Sequence, residues 1–419
     1  MNWKPPKVFY GWWVVSASSL IALYAGGIIF YGFTAIFEPI ANEFGWSYAQ
    51  ISLAASIRGV EMGLLSPLFG MLADRWGPRR LIFSGGVITA LGLILLSYTT
   101  SLAMFYGAFV LVAIGISACS MTVLMIAVAN WFKRRVGLAS GIAASGFGFG
   151  GLLVPVVVRL IDIYEWRMAT IILAAGILAT VLPLSLLFRH KPEQYGCLPD
   201  GEVKGPIAYN DGLAPLKTAE AGVKAKQALR TRTFWHLAFA FTWHSMLVNA
   251  VVTHIMPYLS SIGITRSISS LIATANPLLS IGGRLGVGWV GDKLDRKRVA
   301  AGALAMMAFG LFSFGYATST EIWLLVPFLI LFGIGYGGSI AMRPSLVREF
   351  FGRTSFGTIF GLLMGIGNLG GIIGPLLAGW VFDTWGSYQG IWFTFAGLAV
   401  AAVISVLTAP PVSTKIIAS

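Results

Sequence analysis

The run GMLADRWGPRR at residues 70–80 returns as GWVGDKLDRKR at residues 288–298, an offset of 218. Each copy carries a glycine, an aspartate four residues on, a cation directly after it, and two cations at the end. These are Gly70, Asp74, Arg75, Arg79 and Arg80, then Gly288, Asp292, Lys293, Lys297 and Arg298. A second pair of runs repeats at an offset of 220: GLASGIAASGFGFGGLLVP (137–155) and GTIFGLLMGIGNLGGIIGP (357–375). There Gly137, Gly141, Gly150, Gly151 and Pro155 are matched by Gly357, Gly361, Gly370, Gly371 and Pro375. Two nearly equal offsets mean two copies of one unit. Small residues at four-residue steps are what membrane helices use to approach one another closely.

Composition places that unit in a bilayer. Of 419 residues, 11% are charged and 57% hydrophobic, with mean hydropathy +0.80. An ordinary globular chain has roughly 25% charged residues, so this one cannot wet a soluble surface. A spanning helix needs about 20 apolar residues. Cutting at charge clusters and at proline and glycine gives six predicted helices at 9–37, 49–73, 81–99, 104–130, 137–162 and 167–188. Six more follow at 232–260, 268–290, 299–318, 322–349, 356–383 and 388–409. The expected fold is all-α and integral to the membrane: twelve transmembrane helices in two six-helix repeats, 1–188 and 232–419. A linker rich in proline, glycine and charge, 189–231, joins them. The first apolar stretch is long enough to span and lacks a small-residue cleavage pattern, so it reads as a helix and not as a secretory signal.

The net charge of +13 would by itself suggest a nucleic-acid partner. Placement removes that reading. Of 29 Lys and Arg, 23 lie at the N-terminus, after helices 2, 4, 8 and 10, in the linker, or in the tail, all on one side. Lys and Arg concentrate in cytoplasmic loops, so the expectation is a multi-pass protein of the cell membrane with both termini cytoplasmic and no nucleic-acid partner. Cys119 and Cys197 form neither a disulfide framework nor a metal cluster, and no cofactor is implied. No nucleophile–base pair or phosphate loop suggests an enzyme, and no large soluble domain suggests a sensor.

Six cations remain. Arg159 and Arg167 lie near the outer ends of helices 5 and 6, with Asp162 and Glu165 as expected solvated partners. Arg266 falls in an outer loop. Arg343, six residues before Glu349, either pairs or snorkels at the inner end of helix 10 or lines an inner vestibule. Arg284 precedes Asp292 by eight residues, about 12 Å of helix, which is near mid-membrane. An arginine there costs about 2.5–3.5 kcal/mol and such residues usually mark a transport pathway; its planar fork suits a carboxylate. Asn276 and Ser280 precede it at four-residue steps and are expected to extend a polar stripe. Arg58 and Glu61 on helix 2 either neutralise each other or form a protonatable carboxylate beside a cation. His244 and Asn249 sit in the middle of helix 7, and His titrates near neutral pH. Glu61, Arg58 and His244 are therefore the proton-coupling candidates.

Twelve helices in two halves, with the glycine–aspartate–cation loop after helices 2 and 8, resemble the major facilitator superfamily. FYGWWVV (9–15) and NWFKRRVGLASGIAASGFGFGG (130–151) resemble, more narrowly, its monocarboxylate transporter and oxalate:formate antiporter families. The resemblance implies halves that rock about a midplane site. It implies a gate at Asp74, Arg75, Arg79, Asp292 and Lys293, and a cavity lined by helices 1, 4, 7 and 10. Mid-span residues on those helices are Ile28, Tyr31, Cys119, Met121, His244, Asn249, Tyr336 and Ser339. Ile28 and Cys119 would offer an apolar wall to a short alkyl group, and Tyr336 a hydrogen bond to an anion. The families' helix-8 arginine, which receives the substrate carboxylate, matches Arg284. Three family features are missing: a second cation in helix 11, where Gly367 or Asn368 stands; an aspartate four residues before the arginine, where Ser280 stands; and a lysine in helix 1. The expected function is secondary active transport of a small monocarboxylate such as lactate, pyruvate or acetate, with proton symport. The alternative is antiport of dicarboxylates or other organic anions.

Overall fold

The computed structural model describes residues 9–32, 36–46, 48–195, 197–201 and 222–411, and among these it contains helices and no strand. Twelve helical crossings can be followed. In the first half they are α1 (Gly11–Ala25), α2 (Tyr48–Trp76), α3 (Pro78–Ser97) and α4 (Leu102–Trp131), then α5 and α6, which share Val136–Ser185. In the second they are α7 (Arg232–Ser261), α8 (Arg266–Lys293), α9 (Arg296–Tyr316), α10 (Ile322–Phe351), α11 (Phe356–Trp385) and α12 (Gln389–Thr408).

The expected gap between helices 5 and 6 shrinks to one residue. Glu165, at φ 62° and ψ 160°, is the single non-helical break in a 50-residue helical stretch. The expected helix 9–37 is instead α1, a π-helical continuation Gly26–Tyr31, and a separate helix Phe37–Phe44 closed by left-handed Gly45. A π-helical turn at Phe328–Phe332 interrupts α10 in the second half. The fourth crossing is also divided, into Leu102–Ala118 and Met121–Trp131, with the break at Cys119 and Ser120. Of the linker, residues 202–221 lie outside the described residues, and Ala225–Ala228 forms one helical turn before α7.

Local chemistry starts the helices where the charges are. Gly77 takes φ 80°, which puts Pro78 at the first turn of α3, where its missing N–H costs nothing. Asp295 caps α9 by accepting from the Arg298 amide at 2.8 Å.

The glycine runs set how the halves meet. α5 packs on α8 and α11 on α2. A Cβ on Gly288 would stand 2.6 Å from the Gly137 carbonyl oxygen, and one on Gly357 would stand 2.6 Å from that of Gly70. Both repeats therefore need glycine at these positions for backbone-to-backbone contact between halves.

Candidate functional site

At the end of the bundle that carries the basic loops, the two motif aspartates each cross to the other half. Asp74 on α2 accepts from the Gly357 amide at 2.9 Å, the Thr358 amide at 2.8 Å and the Thr358 hydroxyl at 2.9 Å. Asp292 on α8 accepts from the amides of Gly137 at 2.7 Å and Leu138 at 2.8 Å. Each carboxylate satisfies orphan N–H groups and sits at the positive end of a helix dipole, α11 for Asp74 and α5 for Asp292. Arg75 and Arg79 are exposed, and Lys293 stacks its ammonium 3.6 Å from the Trp289 ring centroid.

A third tie at this end involves arginines the sequence reading assigned only to topology. The carbonyl end of α4 receives guanidinium groups from the second half: Arg353 on Asn130 O at 2.7 Å, Arg348 on Phe132 O, and Arg296 on Lys133 O at 2.7 Å. Cations at a helix C-terminus meet its negative dipole end. Arg353 also pairs with Glu193 of the linker. Together these ties close the basic end.

At the opposite end Arg167 does not pair with Asp162 or Glu165. It donates to Glu43 at 2.6 Å and to the carbonyls of Ser97 at 2.6 Å and Thr99 at 2.9 Å. The Trp166 indole also donates to Glu43, at 2.6 Å. Partial burial alone would push the Glu43 carboxyl up. The hydrogen bonds from Arg167 and Trp166 and the charge of Arg167 outweigh it and hold the group below its ordinary value.

Between the halves lies a cavity of about 240 Å³. α2, α4 and α5 supply its first-half wall through Ser66, Ser117, Ser120, Met121, Thr122, Met125, Ala144 and Phe147. α8, α10 and α11 supply the rest: Arg284, Tyr336, Ile340, Arg343, Phe360, Met364 and Asn368. Two guanidinium groups thus face one apolar chamber, and no carboxylate lines it among the described residues.

Arg284 is buried, with 3% of its surface exposed. Its Nη1 donates to the Ala144 carbonyl across the interface at 2.6 Å, its Nε has no partner, and its guanidinium lies 5.7 Å from the Tyr336 ring centroid. Gly148 makes room for it: a Cβ there would come within 3.0 Å of Nη1. The break in α4 opens on the same chamber. Ser120, Met121 and Thr122 begin the half-helix Met121–Trp131, and Ser120 makes no side-chain cap. The positive end of a half-helix therefore faces the chamber that holds Arg284.

The other expected site residues scatter. Tyr336 and Met121 line the cavity. Ser280 spends its hydroxyl on the Pro277 carbonyl at 2.6 Å, and buried Asn276 packs near Gly333 of α10; neither lines the chamber. Rotation contributes: at about 100° per residue, Ser280 is turned about 40° and Asn276 about 80° away from Arg284. Cys119 donates to the Ile82 carbonyl at 3.3 Å and borders a separate small apolar void inside the first half. Ile28 is buried in the core. Asn249 is exposed and returns its amide to Ser245 O at 2.8 Å. The side chains of Tyr31, Arg58 and Glu61 lie outside the described residues.

His244 reaches the site through Arg343. Arg343 donates from Nη2 to His244 Nδ1, and its Nε has no partner. The other ring nitrogen, Nε2, lies 3.4 Å from the Tyr336 carbonyl. Since Nδ1 accepts from a guanidinium, this geometry assigns the proton to Nε2 and makes the imidazole neutral. Sequence position alone had left two places for Arg343, pairing or snorkelling at the inner end of its helix or lining an inner vestibule, and it lines the chamber. The signal for its place was the spacing Tyr336, Ile340, Arg343, steps of four and three that keep all three on one helix face.

Comparison with known proteins agrees with this architecture. The family model described as Major Facilitator Superfamily matches residues 15–263 and 239–418. Monocarboxylate transporter 12 of Xenopus laevis is 26% identical over 395 residues, spanning 92% of this chain and 85% of that protein. Monocarboxylate transporter 13 of Bos taurus is 27% identical over 421 residues, spanning 97% and 91%. Monocarboxylate transporter 2 of Homo sapiens is 22% identical over 428 residues, spanning 99% and 88%. Among solved structures, the E. coli fucose:proton symporter superposes with TM-score 0.70 at 16% identity, covering 97% of this chain and 100% of that one. The human organic anion transporter MFSD10 gives 0.70 at 14%, covering 96% and 100%. With two repeated six-helix halves, aspartate latches between them and a family model running through both, this chain belongs to the major facilitator superfamily of membrane transporters.

Proposed function

We propose that this transporter carries a small monocarboxylate of the lactate, pyruvate or acetate kind together with a proton, by alternating access of the two halves. The observation that carries the reading is Arg284: a buried guanidinium in the wall of an apolar chamber, with a free Nε and no carboxylate beside it among the described residues. A substrate carboxylate supplies the missing charge, the Tyr336 hydroxyl adds a hydrogen bond, and the half-helix beginning at Met121 adds a favourable dipole. Met121, Met125, Phe147 and Met364 leave an apolar remainder for a short alkyl chain. Relatives named as monocarboxylate transporters support the substrate class. The 23 cations at one end support a cell-membrane orientation with both termini cytoplasmic. On this reading the closed end faces the cytoplasm.

The test is uptake by purified protein in liposomes. An inward proton gradient should drive accumulation of labelled lactate or pyruvate, and Arg284→Ala should abolish it. If neither anion is taken up nor stabilises the protein against heat, the substrate class is wrong. A second reading, exchange of dicarboxylates, is favoured by one observation: Arg343 gives the chamber a second cation. Uptake that requires an internal anion and responds to oxalate or a similar dianion would select exchange over symport.

A further inference from the structure

We propose that His244 is the proton-binding group and that Arg343 is the element through which its protonation is felt in the cavity. The inference rests on the transport reading above and deepens it by naming the coupling pair.

In the closed-end state His244 is neutral, and its Nδ1 lone pair holds Arg343 by Nη2. A proton arriving at Nδ1 takes that lone pair. The hydrogen bond from Arg343 breaks, and the imidazolium then offers N–H donors on both sides and no acceptor. Every charged neighbour opposes this. Arg343 comes from α10 and Arg284 from α8, both cationic, and Tyr336 from α10 presents its carbonyl to Nε2 and its neutral phenol ring at 5.9 Å between ring centroids. α9 and α12 contribute Ala300, Leu304 and Val406, all apolar. Among the described residues no carboxylate faces the pair. An imidazolium beside two guanidinium groups in such surroundings needs an anion.

The cavity supplies one. Arg343 lines the same chamber as Arg284, so once released by His244 it faces the space where a carboxylate binds. The released guanidinium and the substrate satisfy each other, and the substrate charge offsets the proton. Proton and anion therefore bind with positive coupling, each raising the affinity of the other by the same factor. Release reverses the step: the anion leaves, the proton leaves Nδ1, and Arg343 returns to it. The carrier needs no aspartate on α8 for this, since a histidine on α7 takes the role through a guanidinium on α10.

The test separates exchange from accumulation in liposomes holding the full-length protein. Gln in place of His244 keeps an acceptor for Arg343 and cannot titrate. For His244→Gln we expect labelled lactate under a proton gradient of one pH unit to equilibrate without concentrating, a loss of up to tenfold in the inside-to-outside ratio, while exchange of labelled for unlabelled lactate at equal pH continues at a lower rate. Exchange by the wild type should rise as pH falls, and the variant should lose that dependence. Arg343→Gln should lose the pH dependence as well, because the reporter is gone. If His244→Gln accumulates lactate as the wild type does, the proposal is overturned while the substrate reading stands. Equal loss of exchange and accumulation, with the pH profile unchanged, assigns His244 a structural role and also overturns it. Wild-type protein that moves neither lactate nor pyruvate would bring down the transport reading and this inference with it.

Discussion

Arg284 combines two duties, since it ties α8 to the Ala144 carbonyl and lines the chamber with its Nε unpartnered. A hydrogen bond to a charged group is worth about 1.5–3 kcal/mol, so Arg284→Ala should weaken carboxylate binding by roughly 10- to 100-fold, read by substrate-induced thermal shift. Tyr336→Phe removes a neutral donor worth about 0.5–1.5 kcal/mol and should raise KM several-fold with little change in kcat. Gly148→Val keeps every charge but fills the space beside Nη1; it should mimic a weakened arginine, and normal affinity in that variant would show the guanidinium is not held there. At the far end, Glu43 has its carboxyl held low by Arg167 and Trp166. A group depressed in the folded state stabilises above its unfolded pKa, and that stability is lost as pH falls through the folded one. The melting temperatures of wild type and Glu43→Gln should therefore differ at neutral pH and converge in acid below the ordinary carboxylate range.

For helices the relevant question is what holds the basic end shut. Asp74 caps α11 and Asp292 caps α5, each from the opposite half. Loss of a cap costs about 0.5–2 kcal/mol, so Asp74→Ala or Asp292→Ala should shift the closed-to-open balance by roughly 2- to 30-fold. The two latches share no residue, and their effects should add in the double variant. Gly288→Ala and Gly357→Ala attack the same closure through shape, since each Cβ would meet the facing backbone at 2.6 Å. Overpacking of this kind costs about 1–3 kcal/mol and should open the basic end. Labelling of Ser120→Cys by a membrane-impermeant thiol reagent added from the basic side reads both sets, and unchanged labelling would show that neither contact holds the gate.

Across the whole molecule, much was legible because two physical signals are strong in a bilayer. Few charges in a long chain force helices to span, and duplicated glycine runs and loops mark two halves. Arg284 stood out because a charge at mid-membrane is expensive. Other features were invisible for reasons that can be stated. Distance from a loop says how deep a residue lies but not which way it faces, so Arg343 was left between the helix end and an inner vestibule, and Asn276 and Ser280 looked aligned with Arg284. The break in α4 falls at Cys119 and Ser120, where no proline or glycine marks it. The arginines on the carbonyl end of α4 served the count of cations by side, and nothing in their spacing pointed to partners more than 160 residues away.

The divided α4 also has a mechanical meaning. Its second piece, Met121–Trp131, touches the chamber at one end, and at the other its Asn130 carbonyl, with those of Phe132 and Lys133 just beyond, is clasped by Arg353, Arg348 and Arg296. Eleven residues of helix form a rod about 16 Å long, jointed at Cys119 and Ser120. When the halves part at the basic end, the clasp slackens and the rod is free to swing on that joint. On the proposed reading, the helix end that faces the substrate carboxylate moves with it. Unlocking the exit and loosening the grip on the cargo are then one motion of one short lever.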